Sequence, residues 1–245
     1  MVSERAIFTT SWDDGNPLDV RIAQMLEDFG LTGTFYASTG PEGRRLISDR
    51  DLARIGSSHE LGVHGRSHEI FPRLSRHDLA QEIWWAAEEL SQFGVVGSVV
   101  APPRGKLDGP TARLLARMGY SVRTGAIIGS QSRSRSMLEP TFHFYPHRWK
   151  TIVRNLAYRR RIPPPALLLA YGRRRDFRDR TRRMLLSGAR HQRYVHIWGH
   201  AAEIERLDLW DALGELLGAA ADLGLAPVSN TEAAVELDRR AKGAR

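Results

Sequence analysis

Apolar and polar residues follow two different periods along the first part of the chain. Residues 6–12 form a β-prone run, and residues 18–29 carry apolar side chains at helical spacing up to Gly30. Residues 34–37 then resume the β-prone character. This β-α-β unit predicts a parallel sheet whose strand-end loops gather at one end.

The alternation continues through most of the chain. Ser48 and Ser75, each followed three residues later by an aspartate, predict two helix starts. Further strands are expected at residues 60–63, 98–101, 120–124, 142–147, 194–200 and 226–229, and further helices at residues 110–118, 149–160, 207–223 and 231–237. Because no fixed-period repeat or linker divides the chain, the pattern predicts one α/β domain over residues 1–245.

The composition agrees with a single globular domain and limits the kinds of metal ligand and nucleophile that the chain can supply. The chain has 245 residues, of which 42% are hydrophobic and 26% charged, and it contains no cysteine. Disulfides, thiolate metal sites and cysteine nucleophiles are therefore excluded. Any metal would be bound by histidine and carboxylate ligands.

Positive charge is concentrated in one segment. The net charge of +8 comes mainly from arginine, and we expect a helical insertion around residues 148–190 to carry much of it. The arginines from residue 154 to residue 193 are Arg154, Arg159, Arg160, Arg161, Arg173, Arg174, Arg175, Arg178, Arg180, Arg182, Arg183, Arg190 and Arg193. This group could attract phosphate or an anionic membrane surface, or it could form a solvated helix face. No apolar run approaches the roughly 20 residues that span a bilayer, and the first residues lack a signal segment, so we expect no transmembrane segment and a cytoplasmic protein.

Two adjacent carboxylates end the first predicted strand. Asp13 and Asp14 precede Gly15, which suits either an acidic turn that caps the next helix or a metal or base site at the mouth of an α/β fold. His64 and His68, which follow a later predicted strand, have a spacing that suits a metal site. Two histidines and one carboxylate make a three-ligand set, and the second carboxylate is then left to accept a proton.

These stretches resemble motifs of the polysaccharide deacetylases, the NodB-homology family of metal-dependent hydrolases that remove acetyl groups from sugars. Residues 10–15, Thr-Ser-Trp-Asp-Asp-Gly, are similar to the first motif, which implies that Asp13 is the general base and Asp14 a metal ligand. Residues 60–68 resemble the second motif, which implies that His64 and His68 are metal ligands, although Gly65 replaces the usual serine or threonine. The resemblance implies a distorted barrel of about seven parallel strands. It also implies a divalent metal ion, with zinc expected and Co, Ni, Mn or Fe as alternatives.

The third motif departs from the family pattern. Residues 101–105 read Ala-Pro-Pro-Arg-Gly, where the family has arginine, any residue, proline, an aromatic residue and glycine. Ala101 therefore stands in place of the arginine that orients the base, and Arg104 or Arg123 could restore the positive charge. The resemblance implies that the backbone N–H of Arg104 helps to hold the oxyanion, and a backbone donor survives replacement of the side chain.

The last strand of the pattern carries two histidines, His196 and His200. The family's final motif implies a histidine general acid here, and the even spacing lets both side chains face the same way. We favour His200 because it lies at the mouth of the strand. Trp12, Trp198 and Tyr36, near strand ends, are either platforms that stack on a sugar ring or residues of the core.

The resemblance implies hydrolysis of an acetyl or formyl group from the nitrogen of an amino sugar or a glycosylated small molecule. The basic segment and the lack of an export signal lead us to expect a phosphate-bearing substrate. One alternative is an arginine-rich protein that binds nucleic acid or phospholipid and has a vestigial metal site. Another is an iron(II) oxygenase, which uses the same ligand types but mostly on all-β folds. Nucleic acid is the less expected partner, and the sequence leaves the oligomeric state open.

Overall fold

The computed structural model describes residues 6–40, 47–129, 136–159, 162–172, 176–191 and 194–243. Within these ranges the strands are β1 (Ile7–Asp13), β2 (Thr34–Ala37), β3 (Glu60–Val63), β4 (Val96–Val100), β5 (Ser121–Arg123), β6 (Met137–Leu138), β7 (Phe142–His143), β8 (Tyr194–Gly199) and β9 (Ala226–Pro227). The α-helices are α1 (Asp19–Asp28), α2 (Asp49–Gly56), α3 (Arg76–Ser91), α4 (Gly109–Arg117), α5 (Trp149–Arg159), α6 (Pro165–Gly172), α7 (Phe177–His191), α8 (Ala201–Arg206), α9 (Trp210–Asp222) and α10 (Asn230–Gly243).

The strands form one curled parallel sheet. Their order is β6-β5-β4-β3-β2-β1-β8-β7, with β9 also paired to β1, and each pairing is parallel. The edge strands β6 and β7 are joined by residues 139–141 alone, a connection that can span at most roughly 14 Å. The sheet therefore curls until its edges approach each other, and an antiparallel bridge joins Ile128 to Phe142 there. The predicted distorted α/β barrel is confirmed. The described residues contain nine strands rather than about seven, and three of these, β6, β7 and β9, are only two residues long.

Strand β1 separates the two layers of the molecule. Successive side chains of a strand point to opposite faces of the sheet. Phe8 and Trp12 pack in the apolar layer between the sheet and the outer helices. Thr9, Ser11 and Asp13 contact polar partners inside the barrel. The strand thus delivers Asp13 to the inside of the barrel at its carboxyl end.

The start of α10 closes the opposite end of the barrel. The backbone N–H of Asn230 donates to Oγ1 of Thr34 at 2.9 Å, and its side-chain amide donates to the Tyr36 hydroxyl at 2.9 Å. Oγ1 of Thr9 donates to the amide oxygen of Asn230 at 2.9 Å. Because these contacts fill the amino ends of the strands, the carboxyl ends are the open face of the barrel.

The helix starts predicted at Ser48 and Ser75 are confirmed. The side-chain oxygen of each serine accepts a hydrogen bond at 3.1 Å from the backbone N–H three residues later, as an N-cap residue does. The helix predicted at residues 207–223 begins later, at Trp210. Asp208 adopts a positive φ of 50°, which ends α8 and separates it from α9.

The arginine-rich segment contains α5, α6 and α7. Arg160, Arg161, Arg173, Arg174, Arg175 and Arg193 lie outside the described residues. Among the helices that are described, none combines the length and apolar character needed to cross a lipid bilayer.

Candidate active site

Three side chains from two loops converge at the carboxyl ends of the strands. Asp14 follows β1, and His64 and His68 follow β3. Oδ1 of Asp14 lies 3.3 Å from Nε2 of His64 and 3.3 Å from Nε2 of His68. One ligand atom from each residue lies within 4.8 Å of the other two, a spacing that can hold a metal ion. Partial burial would raise the pKa of Asp14, but the imidazoles of His64 and His68 lower that pKa well below its usual range.

The hydrogen bonding of His64 fits a metal ligand. The residue is 1% exposed, and its Nδ1 lies 2.7 Å from the carbonyl oxygen of Ala101. Because a carbonyl oxygen can only accept, Nδ1 carries a proton, which leaves Nε2, on the side of Asp14, as the nitrogen that can bind a metal ion. Two imidazoles and one carboxylate are the donor set that zinc and similar divalent cations prefer. The residues present therefore fit a divalent cation.

Asp13, the last residue of β1, is paired with a buried arginine. Its Oδ2 accepts a hydrogen bond from Nη2 of Arg123, the last residue of β5. The side chains of Asp13 and Arg123 are 5% and 1% exposed. Oδ1 of Asp13 has no hydrogen-bond partner among the described residues. Arg123 therefore fixes the carboxylate through one oxygen and leaves the other able to accept a proton.

Aromatic rings hold Arg123 in place. Its guanidinium carbon lies 4.4 Å from the ring centre of Trp198 and 5.3 Å from that of Tyr36, distances at which a cation is attracted to a ring face. Residue 101 lies just beyond β4, where its carbonyl binds His64. The cation beside Asp13 is thus supplied from β5 and not from residue 101.

His200 lies at the start of α8, where Glu203 supports it. Nδ1 of His200 is 3.0 Å from Oε2 of Glu203, and Nε2 of His200 is 3.9 Å from Oδ2 of Asp14. Burial alone would lower the pKa of His200, but the hydrogen bond to Glu203 and the charges of Asp13 and Asp14 raise it to about 9. The ring is therefore protonated at neutral pH and holds a proton at Nε2, beside the three converging side chains.

Two further histidines pack behind this pair. The ring of His143 stacks on Trp198, with 3.9 Å between ring centres, and its Nε2 lies 3.4 Å from Oε2 of Glu203. Nδ1 of His143 is hydrogen-bonded to Nε2 of His147 at 2.7 Å. Burial lowers the pKa of His143 to about 4 and that of His147 to about 3, so both rings are neutral. His143, His200 and Glu203 form a second group with metal-like spacing, but because Glu203 already binds His200 we interpret the group as the support of that histidine.

Glu82 of α3 anchors the loop between the two histidines. Its Oε2 accepts hydrogen bonds from the backbone N–H groups of Arg66 and Ser67, both at 2.8 Å, and its Oε1 accepts one from the Ser67 hydroxyl at 2.8 Å. Gly65, where the family pattern has a serine or threonine, has a φ of 77°. The loop therefore takes its main polar support from a helix outside the motif.

Backbone strain is concentrated at these loops. Asp14, His68, Arg104 and Asp208 are the non-glycine residues with positive φ in the described part of the chain, and their values lie between 50° and 81°. Asp14 and His68 belong to the converging group, and Arg104 lies in the loop after β4. Such conformations cost of order 1–3 kcal/mol each and are common at functional sites.

A family model described as polysaccharide deacetylase matches residues 2–123, which include Asp13, Asp14, His64 and His68. The chain belongs to the polysaccharide deacetylase family. The match ends at Arg123, so the late strand β8 and His200 lie beyond it.

Solved structures of this family share the fold over nearly the whole chain. The Bacillus subtilis family 4 carbohydrate esterase PdaA is 13% identical, with 96% of this chain and 82% of that chain covered and a TM-score of 0.61. The esterase domain of a multidomain xylanase from the hindgut metagenome of Trinervitermes trinervoides is 16% identical, with 98% and 92% covered and a TM-score of 0.59. A pseudoenzyme of the same family from Bacillus anthracis is 12% identical, with 94% and 66% covered and a TM-score of 0.56. At these identities the likeness shows the fold alone. A search of curated proteins finds no match.

The predicted residues of this family member separate into two groups. Asp13, Asp14, His64, His68 and His200 come together at the carboxyl ends of the strands. Among the remaining predictions, Arg104 is exposed in the loop after β4 and shares a cavity with His68. Trp198 is 8% exposed, and its indole N–H donates to the carbonyl of Ala126 at 2.7 Å.

His196, Trp12 and Tyr36 do not join the site. His196 is 0% exposed, and its two ring nitrogens bind the hydroxyls of Ser11 at 2.8 Å and Tyr194 at 2.5 Å. Burial and the charge of Arg123 hold its pKa well below its usual value, so the ring is neutral and is not the imidazolium that a general acid requires. Trp12 and Tyr36 are also 0% exposed, and buried rings cannot stack on a sugar.

Sequence reasoning missed two residues that support the site. Glu203 stands three positions after His200 at a helix start, and that spacing is the signal that could have identified it. Glu82 lies next to Ile83 on the buried side of α3, where a carboxylate is out of place unless it has partners. Arg123 was one of two candidates to replace the missing arginine, and only the fold brings it to Asp13.

Proposed function

We propose that this protein is a metal-dependent hydrolase that removes an acetyl group, or alternatively a formyl group, from the nitrogen of an amino sugar. The observation that supports this function best is the convergence of Asp14, His64 and His68 next to Asp13 and His200. A deacetylase needs a cation site, a proton acceptor and a proton donor around one acyl group. Each of these has a candidate side chain here.

Asp14, His64 and His68 would hold the cation, for which zinc is expected. Bound there, a divalent cation would polarise the acyl oxygen and lower the pKa of a water molecule to about 7. The hydrogen bond from His64 to Ala101 keeps the ring oriented for this task.

The other residues of the site would move protons. Oδ1 of Asp13 accepts a proton from the attacking water, while Arg123 holds the carboxylate through Oδ2. The backbone N–H of Arg104 donates to the developing oxyanion. His200 gives its Nε2 proton to the departing nitrogen, and Glu203 keeps the imidazolium in place through Nδ1. The products are a free amine and acetate.

The substrate we propose is a small, phosphate-bearing amino sugar in the cytoplasm rather than a mature cell-wall polymer. The arginine-rich composition supports an anionic substrate. Faster turnover of neutral chitin oligomers than of any phosphorylated amino sugar would contradict this choice. Cell fractionation would test the location.

The test of the activity is acetate release by the zinc-loaded protein from N-acetylglucosamine, its phosphorylated forms and chitin oligomers. We expect activity that is lost with EDTA and restored by zinc. Asp13→Asn should lower kcat by roughly 100-fold or more, because the proton acceptor is removed. Asp222→Asn, a change of the same kind at an exposed position of α9, is the matched control and should behave like the native protein.

The alternative is a non-catalytic protein that uses its arginines to bind nucleic acid or phospholipid. The altered third motif and the family pseudoenzyme from Bacillus anthracis are the reasons to test for it. A zinc-loaded protein that releases no acyl group from any of these sugars, yet binds RNA with a steep salt dependence, would refute the deacetylase and favour the alternative.

A further inference from the structure

A cavity of about 450 Å³ lies beside His68, and two arginines line it. Arg73 ends the short 3-10 turn that follows His68, and Arg104 lies in the loop after β4. Glu69 and Ile70 complete the lining. On the basis of the proposed deacetylase function, we propose that this cavity is a subsite for an oxyanion, a phosphate or carboxylate group carried by the acylated sugar.

The two guanidinium groups are available to a ligand. Arg73 and Arg104 form no ion pair or side-chain hydrogen bond with any residue that the structure describes, and both are exposed. Other arginines nearby are paired, such as Arg66, whose Nε lies 3.0 Å from Oε1 of Glu89. Within the described part of the chain, the lining of the cavity therefore contains two arginines and one acidic residue, Glu69. A guanidinium presents a planar fork of donors that binds a carboxylate or phosphate through two hydrogen bonds.

The cavity adjoins the candidate metal centre. His68 lines the cavity and also faces Oδ1 of Asp14, 3.3 Å from its Nε2. A ligand that fills the cavity thus contacts a side chain of the reacting site. The anionic group would accordingly sit on the sugar that is being deacylated or on the unit joined to it.

The residue at position 104 has changed chemical type relative to the family pattern. The third motif of the family, which residues 101–105 resemble, has an aromatic residue where this chain has Arg104. The backbone there is held in the left-handed region, with φ of 55° at Arg104 and 63° at Gly105. An arginine at a fixed backbone position replaces an apolar surface by a cation, which favours an anionic partner over a neutral one.

The experiment compares matched substrates on the zinc-loaded protein. The substrates are N-acetylglucosamine, its 1-phosphate and 6-phosphate, and N-acetylmuramic acid, which carries a carboxylate. The measured quantity is the ratio of kcat/KM for each anionic substrate to kcat/KM for the neutral one. We expect the native ratio to exceed 1 for at least one anion, and Arg73→Gln or Arg104→Gln to lower it about tenfold, as loss of one charge-assisted hydrogen bond would do. Arg76→Gln removes an equal charge from an exposed position outside the cavity and should leave the ratio unchanged.

Binding without turnover separates this subsite from the proposed activity. Calorimetry of the Asp13→Asn protein with the same phosphorylated sugars should show binding that weakens about tenfold in Arg73→Gln and Arg104→Gln. Should the native protein deacetylate sugars with a ratio near 1 that neither substitution changes, the subsite is refuted while the activity stands. Should no sugar be deacetylated but the arginine-dependent binding remain, the activity is refuted while the subsite stands. A preference for the phosphates or for the carboxylate identifies which oxyanion the cavity takes.

Discussion

Replacing Arg123 by methionine tests the pairing on which the proposed base depends. Methionine is similar in length and apolar, so it fills much of the space between Trp198 and Tyr36 while removing the charge. Asp13 would then lie 5% exposed with neither carboxylate oxygen paired, because Oδ1 already lacks a partner among the described residues. The variant thus isolates the cost of a buried carboxylate without its cation.

The expected loss in the free energy of unfolding follows from the burial of the pair that Asp13 forms with Arg123. Breaking a buried ion pair costs about 3–5 kcal/mol, because one charge is left without compensation. We therefore expect Arg123→Met to lower the free energy of unfolding by about 3–5 kcal/mol at pH 7.

The assay is urea unfolding at a fixed excess of zinc, followed by acetate release from the folded variants. Asp13→Asn and the double variant complete a mutant cycle, and we expect a coupling of roughly 2 kcal/mol or more because the double variant leaves no unpaired charge. Arg54→Met is the control, since Arg54 pairs with Glu27 at the surface and is 37% exposed; such a pair is worth less than about 1 kcal/mol. A loss below about 1 kcal/mol for Arg123→Met, or an additive cycle, would show that the pairing of Arg123 with Asp13 does not stabilise the fold.

Three further predictions follow from the support of the site. Glu82→Gln presents only one acceptor oxygen to the loop of His64 and His68, so zinc should bind about 10–100-fold more weakly in a competition titration. Glu88→Gln, on the exposed face of α3, is the control. Equal zinc affinities of the two variants would contradict the anchoring role of Glu82. Glu203→Gln should lower kcat roughly tenfold or more with a smaller change in KM, because the proton donor loses its orientation; a change confined to KM would point to substrate binding instead. His196 is neutral in the folded protein, with a pKa well below its usual 6.5, so its contribution to stability is present above pH 6.5 and lost as the pH falls. His196→Gln should therefore remove about 1.4 kcal/mol of the loss in unfolding free energy between about pH 7.5 and pH 5.5, and parallel pH profiles of the two proteins would show that this assignment is wrong.

The pattern of residues along the chain predicted the order of the elements and the strand ends at which Asp14, His64 and His68 lie. The β-prone run before Asp13 and the helical period after it predicted β1 and α1. The later predicted strands overlap observed ones, although β7 and β9 are shorter than predicted and β6 was not predicted. Because all strands run parallel, the residues just beyond their carboxyl ends must meet on one face. This is why local spacing alone could group Asp14 with His64 and His68.

The side chains that support that group come together only in the folded chain. The pairing of Arg123 with Asp13 joins residues 110 positions apart, and it depends on how far the sheet curls between β1 and β5. His196 and His200 have the even spacing that suggests one face, yet the strand ends at Gly199 and leaves His196 buried between Ser11 and Tyr194. Spacing along a strand fixes the face on which a side chain lies, whereas its depth in the barrel and its partners are set by the register of neighbouring strands.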